Sequence, residues 1–122
     1  GKIVAVWGLT FKARTDDLRD SPSLNIVGRL RARGAIIQAY DPSLADGSDP
    51  RLDGIDITPD PYAATAGAVV LAILTEWDEF KWLDFDKVGE NMAQKRVVDG
   101  RNLVDRTGLV RRGFSYEGIG RS

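Results

Sequence analysis

The run Ala68-Val69-Val70-Leu71-Ala72-Ile73-Leu74 (AVVLAIL, residues 68–74) is apolar from end to end, with no polar residue at alternate positions. A strand that shows water one face alternates, whereas a strand covered on both faces does not. The second habit belongs to parallel strands in α/β folds. Lys2–Trp7 (KIVAVW) has the same character and predicts the first strand. Between these two runs the hydrophobic period changes more than once. Ser21-Pro22 offers a hydroxyl N-cap with proline at the first helical position. Leu24, Ile26, Val27 and Leu30 then follow at helical spacing, and Gly34 suits the residue that ends a helix. Ala35–Tyr40 predicts a second strand, stopping at Asp41-Pro42, and 43–53 is a connection rich in Asp, Gly, Ser and Pro. Ile55–Thr58 predicts a short third strand and Pro61–Thr65 a short helix closed near Gly67.

Downstream of residue 74 the alternation continues. Thr75 is expected to cap a helical segment whose Trp77 and Phe80, three residues apart, pack under the sheet. Further elements are a helix over Phe85–Met92, a strand over Arg96–Asp99, a helix over Asp105–Arg112 and a closing strand over Phe114–Ile119. The expected fold is therefore α/β: a Rossmann-like, doubly wound, mostly parallel sheet of about six strands flanked by helices. No repeat, low-complexity tract or dividing linker interrupts residues 1–122, so a single domain is expected.

Composition narrows the chemistry. A net charge of -1 argues against a general polyanion binder such as a nucleic-acid-coating protein. No apolar run is long enough to span a bilayer and no signal-peptide pattern opens the sequence, so a cytoplasmic protein is expected. The sequence has neither cysteine nor histidine. Disulfides, thiolate or imidazole metal ligands, a cysteine nucleophile and a Ser-His-Asp triad are excluded together. Any part in chemistry is expected to come through binding, with no catalytic residue and no metal site.

In an open α/β sheet ligands bind beyond the carboxyl ends of the strands, where the strand order reverses. With order 3-2-1-4-5-6, that place lies between strands one and four. Three segments leave strand tips there with suggestive side chains: Phe11-Lys12 through Arg19, Thr75-Glu76-Trp77, and Gly100-Arg101-Asn102. A dinucleotide-binding unit would carry a glycine-rich turn after strand one. This chain instead carries GLTFKARTDDLRDSP (residues 8–22), with Lys12, Arg14 and Arg19 among Asp16, Asp17 and Asp20. Lys12 and Arg101 on one rim suit an anion, most simply a phosphate. The bland alternative is a solvated charged surface whose ion pairs contribute about 0–1 kcal/mol each. A phosphoacceptor receiver domain is a third reading, with Asp16-Asp17 as its acidic pair. It fails because that pair sits well past the strand tip and strand five is followed by Gly-Arg, with no lysine.

Five segments in order, GLTFKARTDDLRDSP, YDP, ILTEWDEF, VVDGRN and YEGIGR, span nearly the whole chain. Together they resemble the C-terminal, UDP-binding domain of the UDP-glucose/GDP-mannose dehydrogenases, and TEWDEF and DGRN look most like the members acting on UDP-glucose. The resemblance implies that Phe11 and Lys12, with Arg101, contact the UDP-sugar, and that Arg19 reaches toward NAD across a cleft between domains. The aspartates of the first loop are left as scaffolding. It implies a longer enzyme that oxidises UDP-glucose to UDP-glucuronate with two NAD, in which this chain is an excised C-terminal domain. The partners would be the nucleotide sugar and the N-terminal NAD-binding and central domains of that enzyme, itself a homo-oligomer. The family's chemistry passes through a cysteine that this chain lacks, so the isolated chain is expected to be inactive. Asp20 departs from the glutamate often found at that place, shortening one loop side chain. The same architecture serves relatives acting on GDP-mannose or UDP-N-acetylhexosamines, and a Rossmann-like interaction module without a nucleotide site is the remaining alternative.

Overall fold

The computed structural model describes residues 2–9, 22–42 (backbone alone for 22–24), 54–75, 77–100 and 103–118. Six strands lie in one sheet: β1 (Ile3–Trp7), β2 (Ile36–Tyr40), β3 (Asp56–Ile57), β4 (Val70–Ile73), β5 (Arg96–Asp99) and β6 (Ser115–Gly118). Their spatial order is β3-β2-β1-β4-β5-β6, and every pairing is parallel. The expected order is thus observed, and among the described residues the sheet is wholly rather than mostly parallel.

The unalternating strands are explained by cover on both faces. Along β1, Val4 and Val6 face a cluster with Val27, Ile37, Ala39, Ala72 and Leu74. Ala5 and Trp7 face the other cluster, with Leu71, Ile73, Phe80, Val88 and Val97. The first cluster is roofed by helix α1 (Pro22–Ala32). The second is roofed by α2 (Pro61–Ala64), a short 3-10 helix (Asp78–Lys81), α3 (Phe85–Asn91) and α4 (Arg106–Arg111). Trp7 and Phe80 are fully buried with ring centroids 5.2 Å apart. Each such aromatic contributes about 1.5–3 kcal/mol by leaving water.

Helix ends follow their local chemistry. Asp60, Asp84 and Asp105 stand at the N-caps of α2, α3 and α4, accepting from the main-chain N–H of Tyr62, of Asp86 and Lys87, and of Thr107. Asp105 is therefore the cap of the helix rather than its first residue. At the end of α1, Gly34 (φ 91°) is left-handed. Its N–H donates to Arg31 O at 2.9 Å while Ala35 N–H donates to Leu30 O at 3.1 Å. This pair of bonds closes a helix on glycine.

One expectation is overturned. Thr75 caps no helix: the N-cap position of the 3-10 helix is Trp77, which makes no side-chain cap bond. Thr75 is fully buried at the tip of β4, so its hydroxyl stands with the sheet rather than at a helix start. Phe80 does pack under the sheet, and Trp77 packs half-buried on the same cluster. Its buried indole N–H has no hydrogen-bond partner among the described residues. Several strands are a residue or two shorter than their apolar runs, and β3 keeps only two residues of the expected four.

Candidate functional site

The carboxyl ends of the central strands form one continuous edge. Gly8 N–H donates to Tyr40 O at 2.8 Å, Leu74 N–H to Trp7 O at 3.0 Å and Gly100 N–H to Ile73 O at 2.8 Å. The ladder thus runs one residue past each tip, which sets the tips of β2, β1, β4 and β5 in fixed register. Between β1 and β4, where the order reverses, the backbones close tightly. Gly8 has φ 99°, and a Cβ there would overlap the Cβ of Thr75 and come within 2.6 Å of its Oγ1. Only glycine fits.

Two carboxylates are buried at this edge. Asp41, just past β2 and 2% exposed, accepts the N–H of Leu9 at 2.8 Å through Oδ2. Asp99, at the end of β5 and fully buried, accepts Val104 N–H at 2.8 Å and the Tyr116 hydroxyl at 3.1 Å, both through Oδ2. A third contact spans the edge: Tyr40 donates its hydroxyl to Glu79 Oε2 at 2.7 Å, tying the tip of β2 to the 3-10 helix. Burial, the hydrogen bond to Glu79, and the carboxylates of Glu79, Asp41 and Asp60 hold the Tyr40 phenol well above its ordinary range. Trp7 is fixed from the side by its indole N–H, which donates to Pro61 O at 3.0 Å.

The expected binding residues Phe11, Lys12, Arg19 and Arg101 lie outside the described residues, as do Arg14, Asp16, Asp17, Asp20, Glu76 and Asn102. What is described is the chain on either side of them. Leu9 leads into segment 10–21, and Leu103-Val104 leads out of segment 101–102. Both flanks stand at the carboxyl edge and both are held by a buried aspartate. In the sequence Asp41-Pro42 stands as a strand stop and Asp99 as the last residue of a strand, and neither signals a buried carboxylate. The available signal was an acid directly after an apolar parallel strand, where a main-chain N–H beyond the ladder needs an acceptor.

The sequence after β1 carries no glycine-rich dinucleotide turn, with Gly8 the single glycine between Trp7 and Pro22. Thr75 closes on the backbone of Gly8, and Leu9 is buried with its N–H donated to Asp41. Among the described residues there is also no group of three or more acidic, cysteine or histidine side chains set to hold a metal.

Comparison with known proteins agrees with this geometry. Residues 5–106 match the profile of the UDP-glucose/GDP-mannose dehydrogenase family, UDP binding domain. The chain belongs to that family. As the UDP binding domain it is 43% identical over 121 residues to a UDP-glucose 6-dehydrogenase of Rhizobium meliloti, covering 99% of this chain and 28% of that relative. Among solved structures, a UDP-glucose dehydrogenase from Pyrobaculum islandicum superposes with a TM-score of 0.75 at 30% identity, covering 100% of this chain and 26% of the other. An NDP-N-acetyl-D-galactosaminuronic acid dehydrogenase from Methanosarcina mazei Go1 superposes with a TM-score of 0.87 at 27% identity, covering 100% and 25%. The chain thus spans little more than a quarter of the length of these relatives. Among the described residues, no helix is long and apolar enough to cross a membrane.

Proposed function

We propose that this domain binds the nucleotide sugar of a UDP-glucose 6-dehydrogenase, as the C-terminal part of a longer cytoplasmic enzyme that oxidises UDP-glucose to UDP-glucuronate with two NAD. The observation that carries the reading is the fixed carboxyl edge at the β1/β4 reversal, flanked by the segments that bear Phe11-Lys12 and Arg101. That is where an open parallel sheet receives a ligand. Lys12 and Arg101 supply charge-assisted hydrogen bonds to the diphosphate, each contributing about 1.5–3 kcal/mol. Phe11 packs against the nucleotide sugar, and Arg19 reaches toward NAD held by a separate N-terminal domain. This division is supported by the sequence after β1, which has no glycine-rich dinucleotide turn.

The chain's part in catalysis is positioning. Holding the sugar against reactive groups carried by other domains converts an encounter into a fixed geometry. With no cysteine of its own, the domain by itself turns over no substrate; the central and N-terminal domains, in a homo-oligomer, complete the site. The relatives' identities favour UDP-glucose. The 0.87 TM-score against the N-acetylgalactosaminuronate enzyme favours, as a second reading, an N-acetylated UDP-sugar.

Titration of the chain with UDP, UDP-glucose, a UDP-N-acetylhexosamine and GDP-mannose, followed by calorimetry and NMR, tests the proposal. Weak saturable binding of UDP, with shifts at Leu9 and Leu103-Val104 and loss on Arg101→Ala, is the expected result. No binding by millimolar UDP, or shifts confined to the α1 face of the sheet, would overturn it.

A further inference from the structure

We infer that Asp41 and Asp99 are a pair of positioning residues that set the two halves of the UDP site, an inference that rests on the binding role proposed above. Neither touches the nucleotide. Each acts through a main-chain amide beside a segment that does.

The arrangement is reciprocal across the sheet. Asp41 belongs to the tip of β2, yet its carboxylate holds Leu9, which leaves β1 two residues before Phe11 and three before Lys12. Asp99 ends β5 and holds Val104, three residues after Arg101, while Tyr116 on β6 braces the same oxygen. The two strands that carry the binding segments, β1 and β5, lie on either side of β4. Each segment's flank is thus pinned at the carboxyl edge, one by a strand-tip neighbour and one by its own strand. The donors concerned, Leu9 N–H and Val104 N–H, lie beyond the parallel ladder, and both residues are buried where water does not replace an acceptor.

Burial makes this a demanding choice. A carboxylate 2% or less exposed is costly to desolvate, and its attraction for an N–H is strengthened by the same low dielectric. A neutral side chain in either place would leave a buried amide without its acceptor, or with a weaker one. The flank would then settle by moving. A displacement of about 1 Å in a positioning group is enough to lose much of a ligand's binding geometry. Asp41 and Asp99 are therefore expected to govern UDP affinity without contributing a ligand contact.

The test compares Asp41→Ala, Asp41→Asn, Asp99→Ala and Asp99→Asn in the full 122-residue chain. UDP affinity is measured by calorimetry, and the folded fraction and the exchange protection of the Leu9 and Val104 amides by NMR. Each alanine variant is expected to bind UDP about tenfold or more weakly per folded molecule, with exchange protection lost at its own amide. Each asparagine, which keeps a carbonyl acceptor, is expected to recover part of both. Folded alanine variants with wild-type UDP affinity would overturn the inference. If an alanine variant does not fold, its asparagine counterpart decides, since full affinity there with lost amide protection overturns the inference equally. Failure of the wild-type chain to bind UDP overturns instead the binding role itself, so the two failures are told apart.

Discussion

The Tyr40 hydroxyl donates to Glu79 Oε2 at 2.7 Å, joining the tip of β2 to the 3-10 helix that follows β4. The bond crosses over β1, since β1 lies between β2 and β4. Tyr40 also meets Phe80 edge-on, at 6.2 Å between ring centroids. A polar and an apolar contact thus fasten the same helix over the same strand tip.

This bond has a pH signature. Burial, the Glu79 bond and nearby carboxylates raise the folded-state pKa of Tyr40 above its ordinary value. A raised pKa means that the folded state holds the proton more tightly than the unfolded chain does. The stabilisation is fully present below about pH 10 and is lost as pH climbs from there through the folded-state value. Absorbance titration of phenolate should show a late component that vanishes in Tyr40→Phe and in the unfolded chain. A Tyr40→Phe titration identical to wild type would contradict this.

Gly8→Ala should be strongly destabilising. The substitution puts a Cβ at φ 99° and into Thr75. Left-handed backbone and overpacking together cost at least about 2 kcal/mol. Denaturant melts of the Gly8→Ala and Gly8→Ala/Thr75→Gly proteins isolate the side-chain part: the double variant should recover the overlap with the threonine side chain and keep both the left-handed backbone cost and the contact with the residue-75 main-chain nitrogen.

Phe80→Ala should lower stability by about 3–5 kcal/mol, the usual result of emptying a fully buried aromatic site. Phe80 touches both Trp7 and Tyr40. The same variant should therefore red-shift tryptophan emission and weaken the late tyrosine titration. A core role without contact to the strand tips would change stability alone.

Asp84→Ala should cost about 1 kcal/mol by removing the acceptor for the Asp86 and Lys87 amides at the start of α3. UDP affinity should change little, because Asp84 is exposed and its carboxylate is spent on the first amides of α3. Chemical denaturation and the UDP titration check the two halves of this expectation separately.

The fold was legible because its signals are redundant. A strand such as Val70–Ile73 announces cover on both faces by lacking polar positions, and Pro61 behind Asp60 announces a helix start. Gly34 and Gly67 mark helix ends in the sequence, and both stand at positive φ. Thr75 misleads because a hydroxyl before a helical stretch is locally the same whether it caps a helix or packs against a glycine. The difference lies at Gly8, far away in sequence. The family was legible from motif order. The geometry behind the motifs was not, since nothing local tells an aspartate that ends a strand in solvent from one buried beneath a neighbouring loop. Asp41 and Asp99 needed the spatial order of β2, β1 and β5 to become visible.

The position of β1 inside the sheet also sets how the polypeptide must assemble. Val4 pairs on one side with Ile37, a partner that follows within the first third of the chain, and on the other with Val70. The second pairing closes a loop longer than half the chain, and such closures are entropically slow. During synthesis, β1 and β2 must therefore wait half-covered until β4 leaves the ribosome. The carboxyl edge takes shape only when the β1–β4 pairing zips, so binding competence and the slowest folding step are expected to arrive together.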